Sequence, residues 1–185
     1  MKVWDQLFNL EGETVYLRAM EIGHLDGLWQ AAEPEAIWSY MASKIRSKAE
    51  MEKAIIMAVE ERKKGNQYPF VVFDKKNHRI LGSTRYLDIS QANKNLEIGW
   101  TWYHPDVWRT RVNTECKFLM LKHAFEKFQF NRVHLKTDSR NIRSQQAISR
   151  LGAIKEGILR QDRVLADGYI RNTVVYSIIK EEWPR

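Results

Sequence analysis

The chain has 185 residues, 44% of them hydrophobic, with seven tryptophans, one cysteine and a formal net charge of +7. That length suits a single domain, 1–185, with a sizeable core, and the apolar content argues against disorder. No run approaches the roughly 20 apolar residues of a membrane span. The opening MKVWDQLFNLEGE is broken by Asp5, Asn9 and Glu11, unlike a signal peptide, and Cys116 has no internal disulfide partner, so a cytoplasmic location is expected.

In chain order, Thr14–Ala19 alternates Val15 and Leu17 with polar neighbours, as a half-buried strand does. His24–Ala32 reads as a short helix, and Glu33–Arg46, which holds Pro34, as a loop or broken helix. Ser47–Lys64 is the clearest local signal. Ser47 and Glu50 form a capping box, Met51, Ala54, Ile55, Ala58 and Val59 share one face, and Gly65 ends the helix. Three strands follow, Tyr68–Asp74, Ile80–Asp88 and Asn95–Tyr103. Asn113–Gln129 is a helix with Phe118, Leu121, Phe125 and Phe128 along one side. Arg132–Asp138 is a strand and Asn141–Leu151 a short helix closed by Gly152. Ala153–Arg163 and Tyr169–Lys180 are strands around the Asp167–Gly168 turn. The sequence has no internal repeat, low-complexity tract or linker. The order β-α-α-β-β-β-α-β-α-β-β predicts an α+β fold, a mostly antiparallel sheet of about seven strands with about four helices and one parallel crossover. The last strand either pairs across a homodimer or is covered within the monomer.

A basic surface attracts phosphate groups, but no arginine-rich tail, zinc-ligand spacing or aromatic-basic motif points to a specific nucleic acid. The five histidines lack paired i,i+4 spacing, so no metal site is expected. Cys116, inside a helix, reads as a small packing residue. The informative stretch is Leu96–Thr114, LEIGWTWYHPDVWRTRVNT, a strand, a turn and a helix start. Unpaired N–H groups at such a start attract phosphate, and Arg109 and Arg111 stand beside it. An ordinary capped helix with two solvated arginines explains the same residues.

The run from EIGW through the helix carrying HAFE to the series Asn141, Ser144, Gly152 and Gly157 resembles the core of GNAT-superfamily acetyltransferases. With the opening TVYLRAMEIGHLDGLWQA, it is most similar to the branch of ribosomal-protein N-terminal alanine acetyltransferases. The resemblance implies a GNAT fold and transfer of an acetyl group from acetyl-CoA to a primary amine in a ternary complex. The acceptor is then a protein N-terminus or a small-molecule amine, without metal or membrane. It implies that the strand splays near Trp100, Thr101 and Trp102, leaving backbone groups for the pantetheine arm and an oxyanion. The pyrophosphate would lie on Arg109, Thr110, Arg111, Val112, Asn113 and Thr114, with Asn141 on the pantetheine side. One departure stands out, since Trp108, Arg111 and Asn113 replace the family's first, glycine and last small positions. Arg111 is strained if that position takes positive φ; a loop of ordinary dihedrals with Arg111 turned outward suits these residue types better.

Glu97 is the candidate base, on a strand face shared with Gly99 and Thr101 and opposite Trp100 and Trp102. It serves if burial raises its pKa; a structural salt bridge is the alternative. Ser144, one turn into its helix, is the candidate to protonate or orient the sulfur, or else bonds only backbone. Trp38, Tyr40, Met41, Trp100 and Trp102 either line an acceptor pocket or pack in the core. His104 and His123 either touch a ligand or lie on the surface. A non-catalytic CoA-binding domain of the same fold is the alternative function, and a basic nucleic-acid module a third.

Overall fold

The computed structural model describes residues 6–184; Met1–Asp5, part of the stretch weighed above as a signal peptide, and Arg185 lie outside the described residues. In chain order the elements are β1 (Leu10–Glu11), β2 (Val15–Ala19), α1 (Leu25–Ala32), α2 (Lys48–Lys64), β3 (Tyr68–Asp74), β4 (Ile80–Ser90) and β5 (Asn95–Tyr103). Then come α3 (Val112–Lys122), β6 (Arg132–Asp138), α4 (Ile142–Arg150), β7 (Ile154–Val164) and β8 (Ile170–Ile179). The strands form one sheet in the order β1-β2-β3-β4-β5-β6-β8-β7. Only β5 and β6 run parallel; the other neighbours are antiparallel. The expected α+β architecture and element order hold. The eighth strand is the two-residue β1, too short for alternation to reveal.

The α2 start follows the sequence closely. Ser47 Oγ accepts from Glu50 N–H at 3.1 Å, and the Glu50 carboxylate accepts from Arg46 N–H at 2.6 Å. Gly65 adopts φ 81°, which lets the chain turn away in the left-handed region. Met51, Ile55 and Ala58 are buried from the expected face. Glu33–Arg46 contains a short 3-10 turn, Glu35–Trp38.

The helix after β5 departs from expectation. Regular α-helix ends at Lys122, and a π turn, His123–Lys127, adds a residue to the last turn. That extra residue rotates the tail. Ala124 and Phe125 point inward, whereas Phe118 is exposed with its ring 5.4 Å from Trp183. The last strand also differs from its dimer reading: β8 lies between β6 and β7, and β7 is one edge of the sheet, with β1 at the other.

The core has two parts. On one face α3 and α4 cover Leu96, Ile98, Val133, Leu135, Tyr176 and Ile178. On the other, α1 and α2 pack with Trp38 over Val71 and Trp102. Fully buried Tyr86 donates its hydroxyl to Met120 C=O at 2.6 Å, tying α3 to the sheet. Glu115 accepts from Thr14 N–H at 2.9 Å and ties the α3 start to the opposite end of the sheet. Each such large apolar side chain contributes about 1.5–3 kcal/mol by leaving water. Together they fix where α3 begins relative to β5. No helix among the described residues is long and apolar enough to cross a membrane.

Candidate active site

The two parallel strands pair only over Asn95–Glu97 with Arg132–His134. Beyond Glu97 they part, while β5 stays bonded to β4 as far as Tyr103. The gap is the mouth of a cleft of about 690 Å³ lined by β5, the Val107–Thr114 turn, α3, α4 and the Ala36–Ser43 loop. Unpaired backbone along one side of β5 offers donors and acceptors to an extended amide-bearing ligand.

A bulge shapes β5 at this point. Arg85 pairs with Gly99 and Ser83 with Trp102, so Trp100 and Thr101 together oppose Thr84. Trp100 takes the extra place at φ 47°, a backbone conformation that costs about 1–2 kcal/mol for an L-residue. Its indole is exposed, with the Arg85 guanidinium 4.7 Å from the ring centroid.

The bulge overturns the expected face assignment. Thr101 turns to the α3 side, where its Oγ1 lies 2.8 Å from Thr84 Oγ1 and accepts from Lys117 Nζ at 2.5 Å. Trp102 turns to the α2 side and packs on Trp38, ring centroids 5.6 Å apart. Glu97 keeps Gly99 as a face neighbour and loses Thr101. Trp38 belongs to the core, its Nε1–H donating to Ala32 C=O at 3.1 Å, while Tyr40 and Met41 do line the cleft.

At the far end of the cleft the turn is built by local bonds. Trp108 Nε1–H donates to Tyr103 C=O at 2.9 Å, and Thr110 Oγ1–H to Val107 C=O at 2.6 Å. The positive φ falls at Arg109, 60°, two residues before the place where the sequence raised it. Arg111 has ordinary helical dihedrals, φ −67° and ψ −16°, and caps α3 without a side-chain hydrogen bond. Its guanidinium turns outward to Glu13, 3.0 Å away, with both side chains exposed. Neither Arg111 nor Val112 lines the cleft. Val112 is buried in the core, and its N–H is taken by Thr110 Oγ1 at 3.3 Å. Arg109, Thr110, Asn113 and Thr114 do line it, beside Arg143 and Arg150 from α4, which sequence reasoning missed. The Arg143 guanidinium lies 4.1 Å over the Trp108 ring. A helix start that leaves the Asn113 and Thr114 N–H groups open beside these arginines is an electropositive end fit for phosphate.

On α4, Asn141 accepts from Ser144 N–H at 3.1 Å through Oδ1, which leaves its amide N–H group for a ligand. Ser144, Asn141 and Trp100–Trp102 all line the cleft.

Glu97 is buried. Its Oε2 lies 3.1 Å from Lys136 Nζ and 3.5 Å from His134 Nε2. Burial alone would push the carboxyl pKa up, but His134 and Lys136 outweigh it and hold the group below the ordinary carboxylate range. The condition that burial raises it is therefore not met. Asp88, Glu97 and His134 offer ligand atoms within 4.8 Å of one another, yet Lys136 already neutralises Glu97, and the cluster reads as an ion pair. Nearby, Arg140 chelates buried Asp138 at 2.8 and 3.1 Å and stacks on Tyr169, 3.4 Å from its centroid. Cys116 is fully buried, and burial pushes its thiol up to about 12, which keeps it inert. His123 stacks on Phe8, with centroids 4.5 Å apart, and burial pulls it down to about 4; His104 accepts from Asp106 N–H in its own turn. Neither histidine lines the cleft.

Comparison with known proteins agrees with this geometry. The family described as Acetyltransferase (GNAT) domain matches residues 14–154. The "Uncharacterized N-acetyltransferase p20" of Bacillus licheniformis is 24% identical over 176 residues, covering 95% of this chain and 98% of that protein. The "Putative ribosomal N-acetyltransferase YdaF" of Bacillus subtilis (strain 168) is 29% identical over 104 residues, 56% of each chain. A crystal structure of a GCN5-related N-acetyltransferase from Brucella melitensis superposes with a TM-score of 0.89 at 27% identity, covering 97% of this chain and 81% of that one. The chain belongs to the GNAT acetyltransferase family and is an acyltransferase.

Proposed function

We propose that the chain is a cytoplasmic, single-domain enzyme that moves an acetyl group from acetyl-CoA to a primary amine by direct attack in a ternary complex. The observation that carries this reading is the parting of β5 from β6 after Glu97, with the α3 start at one end of the cleft. The pantetheine amides bond the free edge of β5 near Trp100–Trp102. The pyrophosphate takes the N–H groups of Asn113 and Thr114 with Arg109, Thr110 and Arg143 around it. Asn141 and Ser144 face the arm from α4, and Ser144, which lines the cleft, orients the sulfur. The bulge at Trp100 turns backbone N–H toward the acetyl carbonyl, where an oxyanion develops.

The acceptor enters from the Glu97 side. A carboxylate held below its ordinary range is a weak base, so the incoming amine must itself be near neutrality. An α-amine, with pKa about 8, meets that requirement far better than a lysine near 10.4. This favours a protein N-terminus, in keeping with the ribosomal description of YdaF. The reading extends to a homodimer through β7, the open edge, where Ile154, Ile158 and Leu159 are exposed; a sedimentation measurement giving only monomer would remove that part.

Release of free thiol from acetyl-CoA tests the reading. Peptides with a free α-amine should support turnover, and the same peptides with a blocked N-terminus and free lysines should not. Equal turnover with both would contradict the assignment.

A further inference from the structure

Lys117 is the one charged side chain of α3 that faces the core. It is 5% exposed, at the floor of the cleft, and its ammonium donates to Thr101 Oγ1 at 2.5 Å and Thr84 Oγ1 at 3.3 Å. Both acceptors are neutral, and among the described residues no carboxylate lies within ion-pair distance of it. Burying a cation without a counter-charge is costly, and an apolar residue would pack the same slot at lower cost. The site is therefore built to meet an anion that the protein itself does not supply.

The position says which anion. Thr101 belongs to the bulge, in the stretch of β5 that β6 leaves unpaired. Lys117 approaches it from the α3 side, whereas Glu97, Lys136 and His134 occupy the opposite face. A reacting thioester in the gap thus has a carboxylate on one face of β5 and an ammonium on the other. We propose that Lys117 is the proton donor to the departing CoA sulfur, directly or through the Thr101 hydroxyl. The proposal rests on acetyl-CoA occupying this cleft.

The step balances. The amine nitrogen forms the new N–C bond and gives its proton to Glu97 or water. The C–S bond breaks with its electron pair on sulfur, which takes a proton from the Lys117 ammonium. Solvent reprotonates the lysine before the next turnover. The groups facing Lys117 are the hydroxyls of Thr84 on β4 and Thr101 on β5, the Cys116 thiol on its own helix and, farther off, the Glu97 carboxylate. Burial, the largest influence, brings Lys117 down to about 8, close to an ordinary thiol near 8.5, which suits proton exchange between the two.

The test needs no acceptor. Bound CoA is titrated between about pH 6 and about pH 9.5 by thiolate absorbance, with the desulfo-CoA complex subtracted, in the wild-type protein and in Lys117→Met. An ammonium beside the sulfur should make the bound thiol ionise about one pH unit or more below free CoA. Lys117→Met should bind desulfo-CoA as before and lose that depression, and Lys117→Arg should keep it. A bound thiol that ionises as in free CoA, or a depression that survives in Lys117→Met, overturns the proposal; the wild-type arm decides it alone should the variant not fold. Acetylation of Lys117 itself, seen by peptide mass spectrometry after incubation with acetyl-CoA, overturns it too, because the lysine would then be a nucleophile. Failure of both CoA and desulfo-CoA to bind the wild-type protein would instead refute the underlying reading, and this inference with it.

Discussion

Glu97 and Lys136 meet where the two parallel strands begin to part, the carboxylate Oε2 3.1 Å from the ammonium Nζ. The pair decides what Glu97 can do. Burial favours the neutral acid, while Lys136 and His134 favour the anion, and the anion prevails. A group whose pKa is lowered by folding adds stability above its unfolded value, about 4.3 for a glutamate, and loses it as pH falls through the lower folded value. In Lys136→Met burial acts with only His134 against it, so the Glu97 carboxyl should titrate higher than in wild type. Its carbon NMR shift against pH checks this, and an unchanged midpoint would contradict it.

Glu97→Gln separates catalysis from binding. The side chain lies on the face of β5 opposite Lys117 and away from the α3 start, so acetyl-CoA affinity should stay within about threefold. Turnover should fall by about 10² or less, the low end for losing a positioned proton acceptor, because a carboxylate held below its ordinary range takes a proton poorly. Calorimetry and steady-state rates on the same preparation give both numbers. Loss of binding with unchanged turnover of the remaining complex would reverse the assignment.

Much of this was legible in the sequence. The capping box at Ser47 and Glu50, the alternation of β2 and the Gly168 turn each give local structure from local chemistry. The cleft between β5 and β6 follows from a motif resemblance. What escaped has a common cause: a residue in an unusual backbone state leaves no mark on a hydrophobic pattern. Trp100 and Arg109 take positive φ although neither is glycine or asparagine, and the bulge at Trp100 then exchanges the faces of Thr101 and Trp102. The π turn after Lys122 breaks the spacing that grouped Phe118 with Phe125 in the same way. Lys117 did leave a signal. It stands three, four and seven residues before buried Met120, Leu121 and Ala124, a charge on the apolar face of a helix.

The two loop arginines give a contrast. Arg111 is exposed and paired with exposed Glu13, an interaction worth about 0–1 kcal/mol. Arg111→Ala should therefore leave acetyl-CoA affinity within about twofold. Arg143 lines the cleft against Trp108, and Arg143→Ala should weaken affinity by about tenfold, as loss of one charge-assisted phosphate contact does. Titrating both variants tests the ranking, and the opposite order would put the phosphates on the outer side of the loop.

Gly82 holds the bulge in place from β4. A Cβ there would lie 2.0 Å from Trp102 C=O and 2.9 Å from Tyr103 Cα, both backbone atoms that cannot step aside. Gly82→Ala should cost about 3 kcal/mol or more, the upper range for overpacking. Chemical denaturation measures it, and a change under about 1 kcal/mol would show that β5 tolerates displacement.

The proposed function rests on acetyl-CoA occupying the gap between β5 and β6. A calorimetric titration of the full chain with acetyl-CoA tests it most directly. One saturable site per chain is expected, weakened in Arg143→Ala and retained in Arg111→Ala. Absence of binding by the wild-type protein, or binding that neither Arg143 nor the α3 start influences, would contradict it.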